Sequence, residues 1–244
     1  MMQSLQGRVV LVTGAAKRIG RGIALRLAKE GARVAIHYSS SEAEARATAA
    51  ECGNAPLFRA DLEKVAEIER LFAEVQQHFG KLDGLVNNAA RFTQRDPLKI
   101  TEADWDFIHS VNLKATFFCC QQGAKLMLAG EGGHGRGKIV NISSLGGIRA
   151  WPEHAHYCAS KAGVIHMTRA LAQAWAPKIT VNSVAPGVIP FGEPDERVKH
   201  LIAKTPAGRG GTADEIADAV VFFLTASDFM TGQVLAVDGG LSQK

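Results

Sequence analysis

The chain has 244 residues, 46% of them hydrophobic and 21% charged, which suits one large domain with a substantial core. Disordered, collagen-like and disulfide-scaffold classes are excluded. The net charge of +4, from 28 basic and 24 acidic residues, is dispersed, and no basic stripe with interleaved aromatics points to nucleic acid.

Glycine supplies 25 residues, about a tenth of the chain, and marks turns and close approaches of backbone. No apolar run is long enough to span a membrane. The opening segment up to Gly14 has no basic flank and no small-residue cleavage site, so it is not expected to be a secretory leader. Cys52, Cys119, Cys120 and Cys158 lack metal-ligand spacing. They read as reduced thiols of a cytoplasmic protein with no metal site.

In chain order, short β-branched runs alternate with amphipathic stretches. Strands are predicted over 8–13, 33–37, 85–87, 138–142, 179–184 and 234–237, with a further strand before Asp61. Helices are predicted over 19–30, 42–52, 65–79, 102–129, 157–175 and 213–224. Continuous apolar strands between such helices imply an α/β fold. The expected architecture is a single Rossmann-type, doubly wound domain over 1–244, a parallel sheet of about seven strands with helices on both faces. Glu131–Gly137 reads as a glycine-rich surface loop. Residues 187–206, rich in proline around a short helix, follow a strand and should lie as a short substrate lid over the carboxyl edge of the sheet. That edge is where open α/β sheets bind ligands.

The first strand runs into Thr13, Gly14, Ala15, Ala16, Lys17, Arg18, Ile19 and Gly20. A strand, a glycine turn and a helix N-terminus together form an anion site. Gly14 would make the turn and Gly20 would let helix and strand pack closely. The second strand ends in His37, Tyr38, Ser39, Ser40 and Ser41. No acidic residue stands there to take a ribose 2′-hydroxyl. Three hydroxyls near Lys17 and Arg18 suit a 2′-phosphate, hence NADP(H).

The glycine turn resembles that of the short-chain dehydrogenase/reductase family, T-G-x-x-x-G-x-G, except that Arg18 stands at the middle glycine. Further motifs carry the resemblance from about Gly7 to Gly240: Asn87-Asn88-Ala89-Ala90, Asn112, Ser144, Tyr157-Cys158-Ala159-Ser160-Lys161 and Pro186-Gly187. It implies an NADPH-dependent oxidoreductase acting on a small carbonyl substrate. Residues i and i+4 share a helix face, so Lys161 should lie beside the Tyr157 ring. A nearby ammonium favours the phenolate and should bring a phenol, ordinarily near pKa 10, toward the working range. By resemblance Tyr157 is the proton donor, Ser144 steadies the substrate oxygen, Lys161 holds the nicotinamide ribose and Asn112 supports a relay water.

The implied cofactor contacts are Gly14, Lys17, Arg18, Ile19, His37, Tyr38, Ser39, Asp61, Leu62, Asn88, Ala89, Tyr157, Lys161, Pro186, Gly187 and Ile189. Asp61 alternatively caps the following helix.

Asn112, Ser144 and the Pro206–Arg209 stretch look like β-ketoacyl carrier-protein reductases. The glycine turn, His37-Tyr38 and Asn87–Phe92 resemble pteridine reductases, in which an aromatic at the Phe92 position packs a flat pterin. Phe92 alternatively packs its own loop, and Ser144 stands where protozoan pteridine reductases carry an aspartate. Trp151, His154, His156 and Phe191 should border the substrate pocket, with Arg197 a further contact. A non-catalytic NADP-binding regulator remains an alternative on the same fold. The apolar faces of 102–129 and 157–175 suit a homodimer or homotetramer, as relatives form.

Overall fold

The computed structural model describes residues 3–129 and 136–243. The glycine-rich stretch expected as a surface loop lies, up to residue 135, outside the described residues.

Seven strands form one sheet: β1 (Val9–Val12), β2 (Arg33–Tyr38), β3 (Leu57–Arg59), β4 (Gly84–Asn87), β5 (Gly137–Ile142), β6 (Ile179–Pro186) and β7 (Val234–Val237). Their order is β3-β2-β1-β4-β5-β6-β7, and every neighbouring pair is parallel. The helices are α1 (Arg18–Lys29), α2 (Glu42–Glu51), α3 (Val65–Phe79), α4 (Glu102–His109), α5 (Thr116–Ala129), α6 (Ala155–Trp175), α7 (Glu196–Lys204) and α8 (Ala213–Thr225). The doubly wound parallel fold expected from the sequence is the one observed.

The strand pattern explains the layers. Val10 and Val12 of β1 belong to one apolar cluster with Ile23 and Leu27 of α1 and Val220 and Phe223 of α8. Val9 and Leu11 belong to the opposite cluster, with Ile68 and Leu71 of α3 and Cys119 of α5. A strand buried on both faces has no polar alternation, which is why these runs read as continuously apolar. β1 pairs with both β2 and β4, so the strand order reverses there and a crevice opens at the carboxyl ends.

One predicted helix differs. Residues 102–129 are not uniformly α-helical, because Ser110–Ala115 winds as a π-helix between α4 and α5. Such bulges cluster at functional sites, and Asn112 sits inside this one.

A buried polar ladder joins the central strands to α6. Asn87 Nδ2 donates to Asn141 Oδ1 at 2.8 Å, and Asn141 Nδ2 donates to Thr168 Oγ1 at 2.9 Å. Ser183 Oγ reaches the Asn141 carbonyl at 3.0 Å. These bonds fix α6 against the sheet below the carboxyl edge. Replacing Asn141 by Ala leaves Asn87 and Thr168 without these partners, and each abandoned buried polar group costs roughly 1–3 kcal/mol. Urea unfolding of Asn141→Ala should show a loss of at least that order, and an unchanged midpoint would show that the ladder does not stabilise the fold.

Candidate active site at the carboxyl edge of the sheet

The glycine turn begins where β1 leaves β4. Thr13 N–H makes a ladder-like bond to the Val86 carbonyl at 3.0 Å, and the chain then turns at Gly14, whose φ is +63°. Asn88 closes the gap: its Nδ2 donates to the carbonyls of Thr13 (2.9 Å) and Gly14 (3.0 Å). Its backbone N–H and that of Ala89 donate to Thr13 Oγ1 at 2.9 and 3.1 Å. A Cβ at Gly20 would lie 2.2 Å from the Gly14 carbonyl oxygen and 2.5 Å from Asn88 Nδ2, so no side chain fits there. Arg18 keeps the left-handed backbone a glycine would adopt, with φ +54°, at a cost of about 1 kcal/mol. Its side chain is exposed, and its guanidinium carbon stands 5.8 Å from the centre of the Phe191 ring. Arg18 therefore reaches across the crevice toward the segment after β6.

Two expected cofactor contacts are corrected. His37 is enclosed beneath the turn, with Nδ1 accepting from the Gly14 N–H at 3.0 Å and Nε2 donating to the Ala60 carbonyl at 3.1 Å. Both ring nitrogens are engaged, so His37 supports the turn and cannot reach a phosphate. Burial pushes its pKa down to about 4. Tyr38 points to the opposite face of β2 and is a core side chain in the cluster that includes Ala45 and Ala49 of α2.

Ser39 follows them exposed at the strand end, and Lys17 lies exposed, 3.8 Å from Glu44. Asp61 does not cap α3, whose N-cap is Lys64. Instead Asp61 Oδ1 accepts from the Glu63 N–H at 3.1 Å and Oδ2 lies 3.3 Å from Lys64 Nζ. Burial pushes the Asp61 pKa up, but that amide and Lys64 outweigh it and hold the carboxyl below the usual carboxylate range. Leu62 is buried beside it. On the other side of the crevice, Gly187 N–H bonds to the Val237 carbonyl at 3.0 Å, directly after Pro186, and Ile189 packs against the core.

Ser144, Tyr157 and Lys161 are brought together where β5 ends and α6 begins, and all three are buried. Ser144 Oγ accepts from the Gly146 N–H at 3.0 Å, and Ser144 is close enough to Tyr157 to favour its ionised form. Lys161 Nζ donates to the Ile142 carbonyl at 2.9 Å and lies 6.0 Å from the Tyr157 ring centre. The electrostatics differ from the expectation. Burial pushes the Tyr157 phenol up to about 12, and neighbouring Ser144 only partly opposes it. Burial also lowers Lys161, to about 8. The phenol is thus held neutral and proton-bearing at pH 7.

Asn112 is fully buried, and its side chain is engaged with backbone. Oδ1 accepts from the Arg91 N–H at 2.7 Å, and Nδ2 donates to the Arg91 carbonyl at 2.9 Å and to Ser160 Oγ at 3.2 Å. It thereby pins the start of the loop that carries Phe92.

Aromatic side chains wall the cluster. Phe92 stacks on His154 at 4.7 Å and meets Tyr157 edge-on at 4.8 Å, with its other side exposed. The Trp151 ring is near-parallel to Tyr157, 6.2 Å away, and Phe191 is exposed on the far rim. His154 is itself buried, with Nδ1 2.9 Å from the Thr93 carbonyl and Nε2 2.6 Å from Arg197 of α7. His156, expected at the pocket border, lies buried behind it, with Nε2 2.7 Å from Thr93 Oγ1. Thr93 had no signal in the sequence: its partners are some sixty positions away.

Residues 14–242 match the family profile described as enoyl-(acyl carrier protein) reductase. The chain belongs to the short-chain dehydrogenase/reductase family. It is 37% identical to a hydroxynaphthalene reductase-like protein of Metarhizium anisopliae, covering 98% of this chain and 96% of the relative. It is also 37% identical to a 3-oxoacyl-acyl-carrier-protein reductase of Staphylococcus aureus, covering 95% and 96%. A short-chain dehydrogenase/reductase variant from Serratia marcescens superposes with a TM-score of 0.90 at 32% identity, covering 98% of this chain and 100% of that one. A structure described as a putative short-chain alcohol dehydrogenase from Sinorhizobium meliloti gives 0.91 at 35% identity, covering 99% and 98%. This family member is thus an oxidoreductase of the nicotinamide-nucleotide-using type.

His37 gives the glycine turn an acid sensitivity. In the unfolded chain it takes a proton near pH 6.5, in the fold only near 4. Its share of stability is therefore complete above about pH 6.5 and is lost as pH falls through 4, by up to about 3 kcal/mol. Urea unfolding at pH 7 and pH 4.5 should show His37→Gln losing less stability on acidification than the wild type, and equal losses would remove His37 from the acid response.

Proposed function

We propose that the protein is an NADP(H)-dependent reductase of a small, flat carbonyl compound, with Tyr157 as proton donor. The observation that carries this is the buried cluster of Ser144, Tyr157 and Lys161 where β5 ends and α6 begins, with the aromatic wall of Phe92, Trp151 and His154 beside it.

The residues fit a dinucleotide. The turn from Gly14 to Ile19, with Gly20 leaving no room for a Cβ, offers backbone at the N-terminus of α1 to a pyrophosphate. Asp61 and Leu62, after β3, would take the adenine, and Asn88, Ala89, Pro186, Gly187 and Ile189, at and beyond the ends of β4 and β6, would take the nicotinamide half. Exposed Ser39 at the end of β2 and exposed Lys17 at the N-cap of α1 suit a 2′-phosphate, no acidic residue stands at the end of β2 itself, and Arg18, turned toward Phe191, would have to swing back to join them. When bound, the cofactor supplies hydride to the substrate carbon.

The chain's residues handle the oxygen. Ser144 hydrogen-bonds it, and Tyr157, neutral at pH 7, gives it the proton. Lys161, close to Tyr157 and held near neutrality by burial, lies where it can contact the nicotinamide ribose and resupply that proton. Because the Asn112 side chain is engaged, its support for a relay water falls to its main-chain carbonyl, which also accepts from Thr116 Oγ1 at 2.8 Å.

A flat substrate is favoured because aromatic faces are free at the crevice: Phe92, stacked on His154 and in contact with Tyr157, keeps its other side exposed, and Phe191, on the proposed lid 187–206, is exposed beside Arg18. The same observation supports a pterin as second reading, with Ser144 lacking the carboxyl that would protonate a ring nitrogen. A non-catalytic NADP-binding regulator would bind NADPH and oxidise none.

Exposed Trp105, Phe107, Phe117 and Leu128 on α4 and α5 suit pairing into a homodimer or homotetramer. Four unpaired cysteines suit a cytoplasmic setting. No helix among the described residues is long and apolar enough to cross a membrane.

NADPH absorbance should decay with 2-tetralone, acetoacetyl thioester or dihydropterin, and which of them turns over separates the readings. Tyr157→Phe should cut turnover by about 100-fold or more with NADPH affinity within about twofold, measured by fluorescence titration, and near-normal turnover would defeat the assignment. Ser39→Asp should weaken NADPH at least about tenfold while improving NADH, and equal kinetics with both cofactors in the wild type would remove the 2′-phosphate reading.

A further inference from the structure

The segment after β6 is held over the site by few contacts. Its helix α7 has no buried residue, and its start is capped by Asp195, which accepts from the Val198 N–H at 2.8 Å. One residue of α7 crosses to the catalytic side. Arg197 donates through Nη2 to His154 Nε2 at 2.6 Å and through Nη1 to Gln94 Oε1. A guanidinium only donates, so His154 Nε2 must offer its lone pair, and Nδ1 then carries the hydrogen donated to the Thr93 carbonyl. His154 in turn stacks under Phe92, whose edge rests on Tyr157. A continuous chain of contacts thus runs from α7 to the reacting phenol.

We propose that Arg197 is a positioning residue of this active site, latching α7 to His154 so that the Phe92 wall is closed over Tyr157 when substrate is bound. This rests on the reductase reading above.

Protonation of His154 opens the latch, because an N–H would then face the guanidinium. The charged groups near His154 are Arg197 on α7 and Glu153 on its own turn. Arg95, Asp104 and His156 stand behind the Thr93 loop. Burial and Arg197 lower the His154 pKa, against the Thr93 carbonyl and Glu153. The latch is therefore closed at neutral pH and opens on acidification below the ordinary histidine range.

Two measurements on the whole protein test this. In NMR titrations, Arg197→Ala should raise the His154 midpoint, and an unchanged midpoint overturns the latch whatever the activity. In kinetics with NADPH and 2-tetralone, Arg197→Ala should raise KM about tenfold with a much smaller change in kcat, and should flatten the rise of KM on acidification. His154→Gln keeps one donor and one acceptor but removes the titratable group, so its KM should no longer rise on acidification, whatever its value at pH 7, and a rise equal to that of the wild type overturns His154 as the acid-sensitive member of the latch. A KM and pH profile in Arg197→Ala equal to wild type overturns the positioning role. A wild type that oxidises no NADPH overturns the reductase reading and the positioning role with it, while the NMR result still decides whether the latch exists.

Discussion

The Asn88 side chain does what one more rung of the β-ladder would do. β1 and β4 are neighbours in the sheet, yet beyond Val12 and Val86 they must part to let the chain turn at Gly14. Parting strands leave carbonyls without partners, and buried carbonyls need them. Asn88 meets both the Thr13 and Gly14 carbonyls, while Thr13 Oγ1 receives the amides of Asn88 and Ala89. From beneath, His37 takes the Gly14 amide. The crevice therefore has a rigid floor, and everything that faces it is placed by that floor and by the ends of β4, β5 and β6.

On this floor, burial does the chemical tuning. Tyr157 is pushed up to about 12 and Lys161 down to about 8 by the same cause, loss of water around a group that would be charged. The two shifts bring a phenol that keeps its proton next to an amine that can exchange one near neutrality. The motif spacing alone suggested the reverse emphasis, an ammonium stabilising a phenolate. The difference lies in burial, which penalises the phenolate while Lys161 Nζ, bonded to the Ile142 carbonyl, stands 6.0 Å from the ring centre.

Arg18 illustrates how a departure from a motif is read correctly in part. The sequence marks it as a charge that must turn outward where a glycine was expected. The backbone there still adopts the glycine conformation, because the turn is dictated by its neighbours, and the side chain lies over Phe191 on the far rim. Local sequence indicates exposure. It does not indicate which residue 173 positions later will meet the exposed group.

The family resemblance added Ser144 to the site; by itself the sequence determined the layers of the fold, the glycine turn and the meeting of Tyr157 and Lys161 on one helix face. Each of these follows from local rules: strands apolar on both faces, helical i and i+4 spacing, and the small set of residues that tolerate a tight turn. Tertiary structure alone decided that His37 and Tyr38 lie inside, that residues 110–115 wind as a π-helix around Asn112, and that Thr93, His154 and Arg197 join into one wall. Those outcomes depend on partners brought together by the closing of the sheet, from β2 to β3 and from the β4 loop to α6 and α7. Hydrogen bonding and burial at such distances along the chain leave no periodicity to read.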